Sequence, residues 1–202
     1  MRKFLVFLMV LTVLQVTVFP AVAQDTNTIT DVVTTATEAD EPQFTILLQA
    51  ISTSERLTEA LSDPQSEWTV FAPTDEAFEK FFTLAEISAE EMLSVPDVVE
   101  AILLYHVVDG VVTSEAIMEM DGEEVPTLLG DFAPITVQIG EDGEVKIIDA
   151  TDLVELGVAE EDSDATVITP DIEADNGVIH VIDNILIPSD VMLAEHFAMQ
   201  DD

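Results

Sequence analysis

The sequence predicts a single α+β domain, because helical patterns fill its first half and strand patterns fill its second half. Apolar residues recur with helical spacing up to Tyr105. Beyond residue 130 they alternate with polar residues, as in half-buried strands. Hydrophobic residues make up 48% of the chain. That share is enough for a continuous core and too high for a disordered acidic segment.

The N-terminus has the features of a secretory signal peptide. Arg2 and Lys3 precede an apolar run, and Ala21-Val22-Ala23 supplies the small-x-small pattern of a cleavage site. A retained anchor is the alternative, but the run is shorter than the about 20 apolar residues of a spanning helix. We therefore predict a secreted, periplasmic or cell-surface protein. The predicted segments are a signal peptide at 1–23, a linker at 24–28, a domain at 29–197 and an acidic tail at 198–202.

The first helices follow from apolar spacing and from helix-ending residues. A short helix is predicted from Ile29 to Thr35 and a longer one from Phe44 to Leu61, before Asp63-Pro64 ends it. The apolar run from Trp68 to Ala72 predicts a strand. Thr74 is the predicted N-cap of the helix that follows, with aromatic side chains securing the joint.

Two more helices and a hairpin continue the pattern. Ser88 begins a capping box, and Pro96 opens a helix that runs through Tyr105. Alternating apolar residues from Ile135 to Ile139 and from Val145 to Ile147 flank a glycine turn, which is typical of a β-hairpin.

The last elements are a strand and a helix, preceded by an acidic loop. Asn176-Gly177 opens the strand, and Ser189 is the predicted cap of a C-terminal helix. Gly157 to Ala165 is an acidic insertion. Its carboxylates are suitable calcium ligands, but the spacing and glycine of a known calcium loop are absent, so we predict no metal site.

The charge excludes some partners. The chain has 42 Asp+Glu against 5 Lys+Arg, a formal net charge of −37. Cleavage of the signal peptide would remove two basic residues and no acidic residue. Such a field repels phosphate backbones and anionic lipids. We expect no nucleic-acid partner and no stable membrane insertion after signal cleavage. A solvated acidic surface is the simplest interpretation, and a cation-binding surface is the alternative.

Catalytic patterns are missing from the sequence. There is no Cys, and His106, His180 and His196 lack the close spacing of metal ligands. There is no Gly-x-Ser-x-Gly elbow either. We therefore predict no catalytic residue, no cofactor and no enzyme. His180 shares a strand face with Val178 and Ile182, which favours a hydrogen-bonded core histidine.

Three ordered motifs resemble the fasciclin domain family. Thr69–Phe78 and Asn176–Pro188 resemble its two signature segments, and Leu104–Gly110 resembles the Tyr-His motif between them. The resemblance extends from about Ile29 to Phe197. It implies a wedge-shaped β-sandwich with helices packed along one side. It also implies an exported adhesion or interaction module of the single-domain bacterial type.

The resemblance also implies candidate contact residues. In some animal fasciclin domains, integrin recognition has been attributed to segments that match Tyr105-His106 and Pro170-Asp171-Ile172 here. Only a general contact with a cell-surface or matrix protein or polysaccharide carries over. A purely structural role is the alternative for Tyr105 and His106. An exported small-ligand or cation-binding domain stays open as a second function.

Overall fold

The computed structural model describes residues 27–38, 43–150 and 164–189. Outside these ranges lie the predicted signal peptide, most of the acidic loop, and the predicted C-terminal helix and tail beyond Ser189.

Within these ranges the helices precede most of the strands, which confirms the predicted α+β class. The helices are α1 (Ile29–Thr37), α2 (Thr45–Ile51), α3 (Glu55–Ser62), α4 (Asp75–Ala85), α5 (Ala89–Leu93), α6 (Pro96–Tyr105) and α7 (Ser114–Ile117). The strands are β1 (Trp68–Pro73), β2 (Val107–Asp109), β3 (Glu124–Thr127), β4 (Gly130–Ile139), β5 (Val145–Ile148), β6 (Ala165–Ala174) and β7 (Gly177–Ile182).

Side-chain caps begin several helices where the sequence predicts them. Thr74 Oγ accepts a hydrogen bond from the Ala77 N–H at 3.2 Å and so caps α4. Ser88 and Glu91 form the predicted capping box of α5. Each cap satisfies backbone donors that the first helical turn leaves without a partner.

The predicted long helix from Phe44 to Leu61 is wrong, because two helices occupy this stretch. α2 ends at Ile51 and α3 begins at Glu55. Ser54 between them is extended, and its Oγ accepts a hydrogen bond from the Leu57 N–H at 3.2 Å. The apolar spacing continues across the break, but serine side chains compete for the backbone and restart the helix.

All seven described strands belong to one curled sheet in the order β2-β1-β7-β6-β5-β4-β3. β1 and β7 are parallel, and the other neighbours are antiparallel. β6 pairs with β5 at its beginning and with β7 beyond, so it belongs to both halves of the sheet. The Leu128 N–H donates to Val107 O at 2.7 Å and joins the two ends. The curled sheet with its helices agrees with the fold that the resemblance implies.

The link between β6 and β7 anchors the centre of the sheet. Asn176 is buried, and its side chain binds the backbone of Ile29, Leu61 and Asp63 at 2.8 to 3.1 Å. Gly177 follows with φ 151°, and a Cβ there would lie 2.0 Å from Trp68 O. Only glycine fits this approach. The Asn-Gly pair therefore holds the helices against the strands that carry the candidate site.

Candidate functional site

Tyr105 is fully buried at the end of α6. Its hydroxyl donates to Pro134 O at 3.0 Å and accepts a hydrogen bond from the Ala150 N–H at 3.1 Å. Burial and the nearby Asp149 carboxylate raise the pKa of this phenol. Tyr105 is therefore a neutral bridge from α6 to the second half of the sheet.

His106 follows in the core with 2% of its surface exposed. Its Nδ1 lies 2.8 Å from Ile102 O, and its Nε2 accepts a hydrogen bond from the Leu186 N–H at 2.9 Å. A carbonyl oxygen only accepts, so the ring hydrogen is on Nδ1. Burial lowers the pKa of His106 to about 4, and the ring is neutral near pH 7.

These contacts place both residues of the Tyr-His motif inside the domain. Neither side chain offers surface to a partner, and every polar atom of the two side chains has a backbone partner. Of the two roles that the sequence allows, the structure has the core one for Tyr105 and His106.

The Pro170-Asp171-Ile172 segment lies at an irregular point of β6. The register with β7 shifts between Thr169 and Ile172, and both Pro170 and Asp171 are exposed. Asp171 has φ 56°, a left-handed conformation that Asp tolerates better than most residues. Ile172 is half-buried and packs against the core. The segment is therefore an exposed bulge that the half-buried Ile172 side chain anchors to the core.

Two sets of hydrogen bonds hold Asp171 in place. Its carboxylate accepts from the Ser114 N–H at 2.8 Å and from the Ser114 hydroxyl. Its own N–H donates to His180 Nδ1 at 3.3 Å. The hydrogen bonds from Ser114 lower the pKa of the Asp171 carboxyl, so the carboxylate is charged near neutral pH.

His180 lies on β7 beneath the bulge and is buried, as predicted. Its Nε2 donates to Val112 O at 2.8 Å, and the Phe71 ring lies 5.6 Å away between centroids. Burial lowers the pKa of His180, and the Asp171 carboxylate opposes that effect. The ring thus connects the buried sheet to the exposed bulge.

The sequence prediction missed this connection because it needs β6 as a strand. A β6–β7 hairpin turning at Asp175-Asn176 brings Asp171 and His180 together. Pro170 within the strand hides the β pattern.

An acidic groove of about 570 Å³ lies beside the bulge. Its carboxylates come from Asp171, Glu67, Glu115, Glu173 and Asp175, and its lining contains no Lys or Arg. In residues 27–38, 43–150 and 164–189, no three acidic or histidine side chains come close enough together to hold a metal ion. Across the same ranges, no helix combines the length and apolarity needed to cross a bilayer.

The class of protein is that of a fasciclin-type module. The curled mixed sheet, the buried Tyr-His pair and the exposed bulge ahead of β7 all agree with it. The sequence model of the Fasciclin domain family matches residues 42–188 of this chain. The chain therefore belongs to the fasciclin domain family.

Its relatives include bacterial and animal proteins. Protein sll1483 of Synechocystis is 35% identical over 153 residues, which are 74% of this chain and 70% of that protein. Protein sll1735 of the same organism is 36% identical over 149 residues, which are 73% of this chain and 91% of that protein. Human periostin is 35% identical over 123 residues, which are 60% of this chain and 12% of periostin.

A solved structure shares the fold. It is a FAS1 domain pair from the insect cell adhesion molecule fasciclin I, with a TM-score of 0.61 and 21% identity. The match covers 83% of this chain and 52% of the insect chain, so the present chain spans about half of that pair.

Proposed function

We propose that this chain is an exported, non-enzymatic adhesion or interaction module that binds a cell-surface or matrix protein or polysaccharide. The observation that carries the proposal is the exposed Pro170-Asp171 bulge on a fasciclin domain. Related folds occur in an insect cell adhesion molecule.

The contact surface in this proposal is the bulge and its surroundings. Pro170 and Asp171 are exposed, Ile172 anchors them, and the neighbouring Ile168 is 52% exposed. Tyr105 and His106 serve the same module from inside by fixing the sheet. An apolar and an acidic group side by side suit a partner with both apolar and cationic groups.

The charge of the domain limits the partner further. Arg56 lies 3.7 Å from Glu100, and Lys80 lies 3.9 Å from Glu76. Nearly all other charged groups are acidic. A single domain of this kind binds weakly, and binding gains strength from many copies on one surface.

A bead assay tests the proposal. Fluorescent beads carrying residues 24–202 are incubated with intact cells and with isolated extracellular polysaccharide and matrix protein. We expect retention of beads carrying the chain, a several-fold loss with Asp171→Ala, and unchanged retention with Glu141→Gln. Glu141 is the matched control because it is an exposed carboxylate in the β4–β5 turn.

Two results would contradict the proposal. One is retention no greater than that of beads carrying an unrelated protein of similar charge. The other is an equal loss with Asp171→Ala and Glu141→Gln, because that pattern indicates charge alone. A salt series identifies the partner's charge, since binding to cationic groups weakens as salt rises.

Export is tested on the full-length chain. Mass spectrometry of the product outside the cytoplasm should show Gln24 as its first residue. A product that keeps Arg2 and Lys3 would contradict signal cleavage.

The acidic groove beside Asp171 favours a second candidate, an exported cation- or small-ligand-binding domain. Because no three acidic side chains of the described residues come close enough to hold a metal ion, the probe is an organic diamine. Such a domain gives a saturable rise in melting temperature with the diamine that persists in 1 M sodium chloride. Glu173→Gln and Asp175→Asn should abolish that rise. A response equal to that of sodium at the same ionic strength would contradict this second candidate.

A further inference from the structure

The contacts of the His180 ring assign its hydrogens. Val112 O can only accept, so His180 Nε2 carries a hydrogen and donates it at 2.8 Å. The Asp171 N–H can only donate, so His180 Nδ1 is bare and accepts at 3.3 Å. Both ring nitrogens are used, and both uses require a neutral ring.

Protonation of this ring reverses one of these contacts. A hydrogen on Nδ1 then faces the hydrogen of the Asp171 N–H, and two donors cannot bond. The new positive charge lies in a buried site, where an unpaired charge is costly. An anionic group is close by, because the Asp171 carboxylate belongs to the same residue that donates to the ring.

We propose that His180 is a pH-sensitive switch: its protonation breaks the bond from the Asp171 N–H and draws the Asp171 carboxylate from Ser114 to the ring. A charge-assisted bond to the imidazolium replaces the bonds from Ser114. Asp171 also loses the contact that holds its left-handed backbone. The bulge and the first turn of α7 therefore move together on acidification.

The elements around the ring carry acidic groups and no basic one. β1 has no titratable residue and presents Phe71 to the ring. β6 supplies Asp171 and Glu173, α7 supplies Glu115, and α1 supplies Asp31. All of these groups are acidic, and among them the Asp171 carboxylate favours the protonated ring and opposes the effect of burial.

His106 is the natural internal reference. It is buried like His180, but its ring bonds only to the backbone of Ile102 and Leu186. No exposed residue depends on its protonation state. The switch belongs to His180 because Asp171 carries its state to the surface, and it acts whatever the surface binds.

Nuclear magnetic resonance tests the switch on the ¹⁵N-labelled chain. Ring signals of His106 and His180 and backbone amides are followed from about pH 7.5 to about pH 3, so that the series passes the pKa of His106 at about 4. We expect the Asp171 and Ser114 amides to shift with the same midpoint as the His180 ring. The Leu186 amide should follow His106 instead. The proposal would be overturned if the chemical shifts of the Asp171 and Ser114 amides did not change across the midpoint of the His180 titration.

Two variants provide the controls. In His180→Gln the shared midpoint should vanish from the Asp171 and Ser114 amides, while the Leu186 response remains. In Asp171→Asn the pKa of the His180 ring should fall, because the stabilising charge is gone, whereas Glu173→Gln should change that pKa less. Persistence of the midpoint in His180→Gln, or a His180 pKa unchanged in Asp171→Asn, would overturn the switch. The pKa of His180 in Asp171→Asn tests the switch even if His180→Gln does not fold.

Discussion

The Tyr105-His106 pair and the Pro170-Asp171-Ile172 segment are the two contact regions that the sequence predicts, yet they differ in exposure and in bonding. The pair lies in the core, and its polar atoms bond to buried backbone groups. The segment lies on a bulge, and its charged group bonds to the exposed end of α7.

This difference separates two uses of a buried histidine. His106 joins two backbone groups, so its removal lowers the free energy of unfolding. His180 joins the sheet to Asp171, so its protonation state affects an exposed residue. The comparison therefore predicts large effects on folding from the pair and small ones from the segment.

The largest expected effect comes from His106→Ala. This change leaves Ile102 O and the Leu186 N–H buried without partners and opens a cavity, so it should lower the free energy of unfolding by about 3 to 4 kcal/mol. Urea denaturation measures the loss. A midpoint equal to that of the unchanged chain would remove the distinction between the two regions.

Acid should act through the same ring. The pKa of His106 is about 4 in the folded chain and about 6.5 in an unfolded one. The unfolded state therefore binds the proton first. Stability that is present above pH 6.5 falls as the pH drops towards 4, by about 3 kcal/mol in total.

The measurement is the difference between the unchanged chain and His106→Gln, because carboxylates titrate equally in both. Denaturation midpoints across this pH range should converge as the pH falls. A constant difference between the two chains would contradict the assignment of this pH dependence to His106.

Tyr105→Phe should have a somewhat smaller effect. The shape of the side chain is kept, but Pro134 O and the Ala150 N–H lose their partner, which costs about 2 kcal/mol. Thermal unfolding should show a lower melting temperature. An unchanged melting temperature would mean that other groups or water satisfy both backbone atoms.

Substitutions of Asp171 should lower the free energy of unfolding by less. Asp171→Asn keeps an acceptor and tolerates the left-handed backbone, so we expect a change under about 0.5 kcal/mol. Asp171→Ala loses both properties and should cost about 1 kcal/mol. Urea denaturation measures the free energy of unfolding of both variants. A decrease as large as that of His106→Ala would mean that Asp171 stabilises the fold as strongly as the core pair does.

The smallest and most general effect is that of salt. Sodium chloride at about 1 M shortens the Debye length to about 3 Å and screens the exposed carboxylates. The melting temperature should rise equally with sodium and potassium, and by the same amount in His106→Ala as in the unchanged chain. The absence of any rise would contradict repulsion among the carboxylates.

Local signals predicted much of the fold. The β1–α4 joint with Thr74, the capping box at Ser88 and the helix from Pro96 all depend on neighbouring residues, and all are confirmed. The β4–β5 hairpin is also confirmed, since alternation within a few residues is enough to define it.

Elements that depend on distant partners were not predicted. β2 and β3 are three and four residues long, too short for a pattern, and they exist because other strands pair with them. The bulge in β6 breaks the alternation that would have revealed it. Hence the sequence predicts a core histidine at His180 but not its bond to Asp171.

The position of β7 constrains how the chain reaches this fold. β7 lies between β1 and β6, and Trp68 pairs with Gly177 across most of the domain's sequence. A growing chain that still lacks residues 177–182 leaves both neighbouring strands with unpaired edges. The sheet therefore forms late and through contacts of high sequence separation, which is slow. Such a delay keeps the polypeptide unfolded until its C-terminal part has been made, which suits the export that we propose for it.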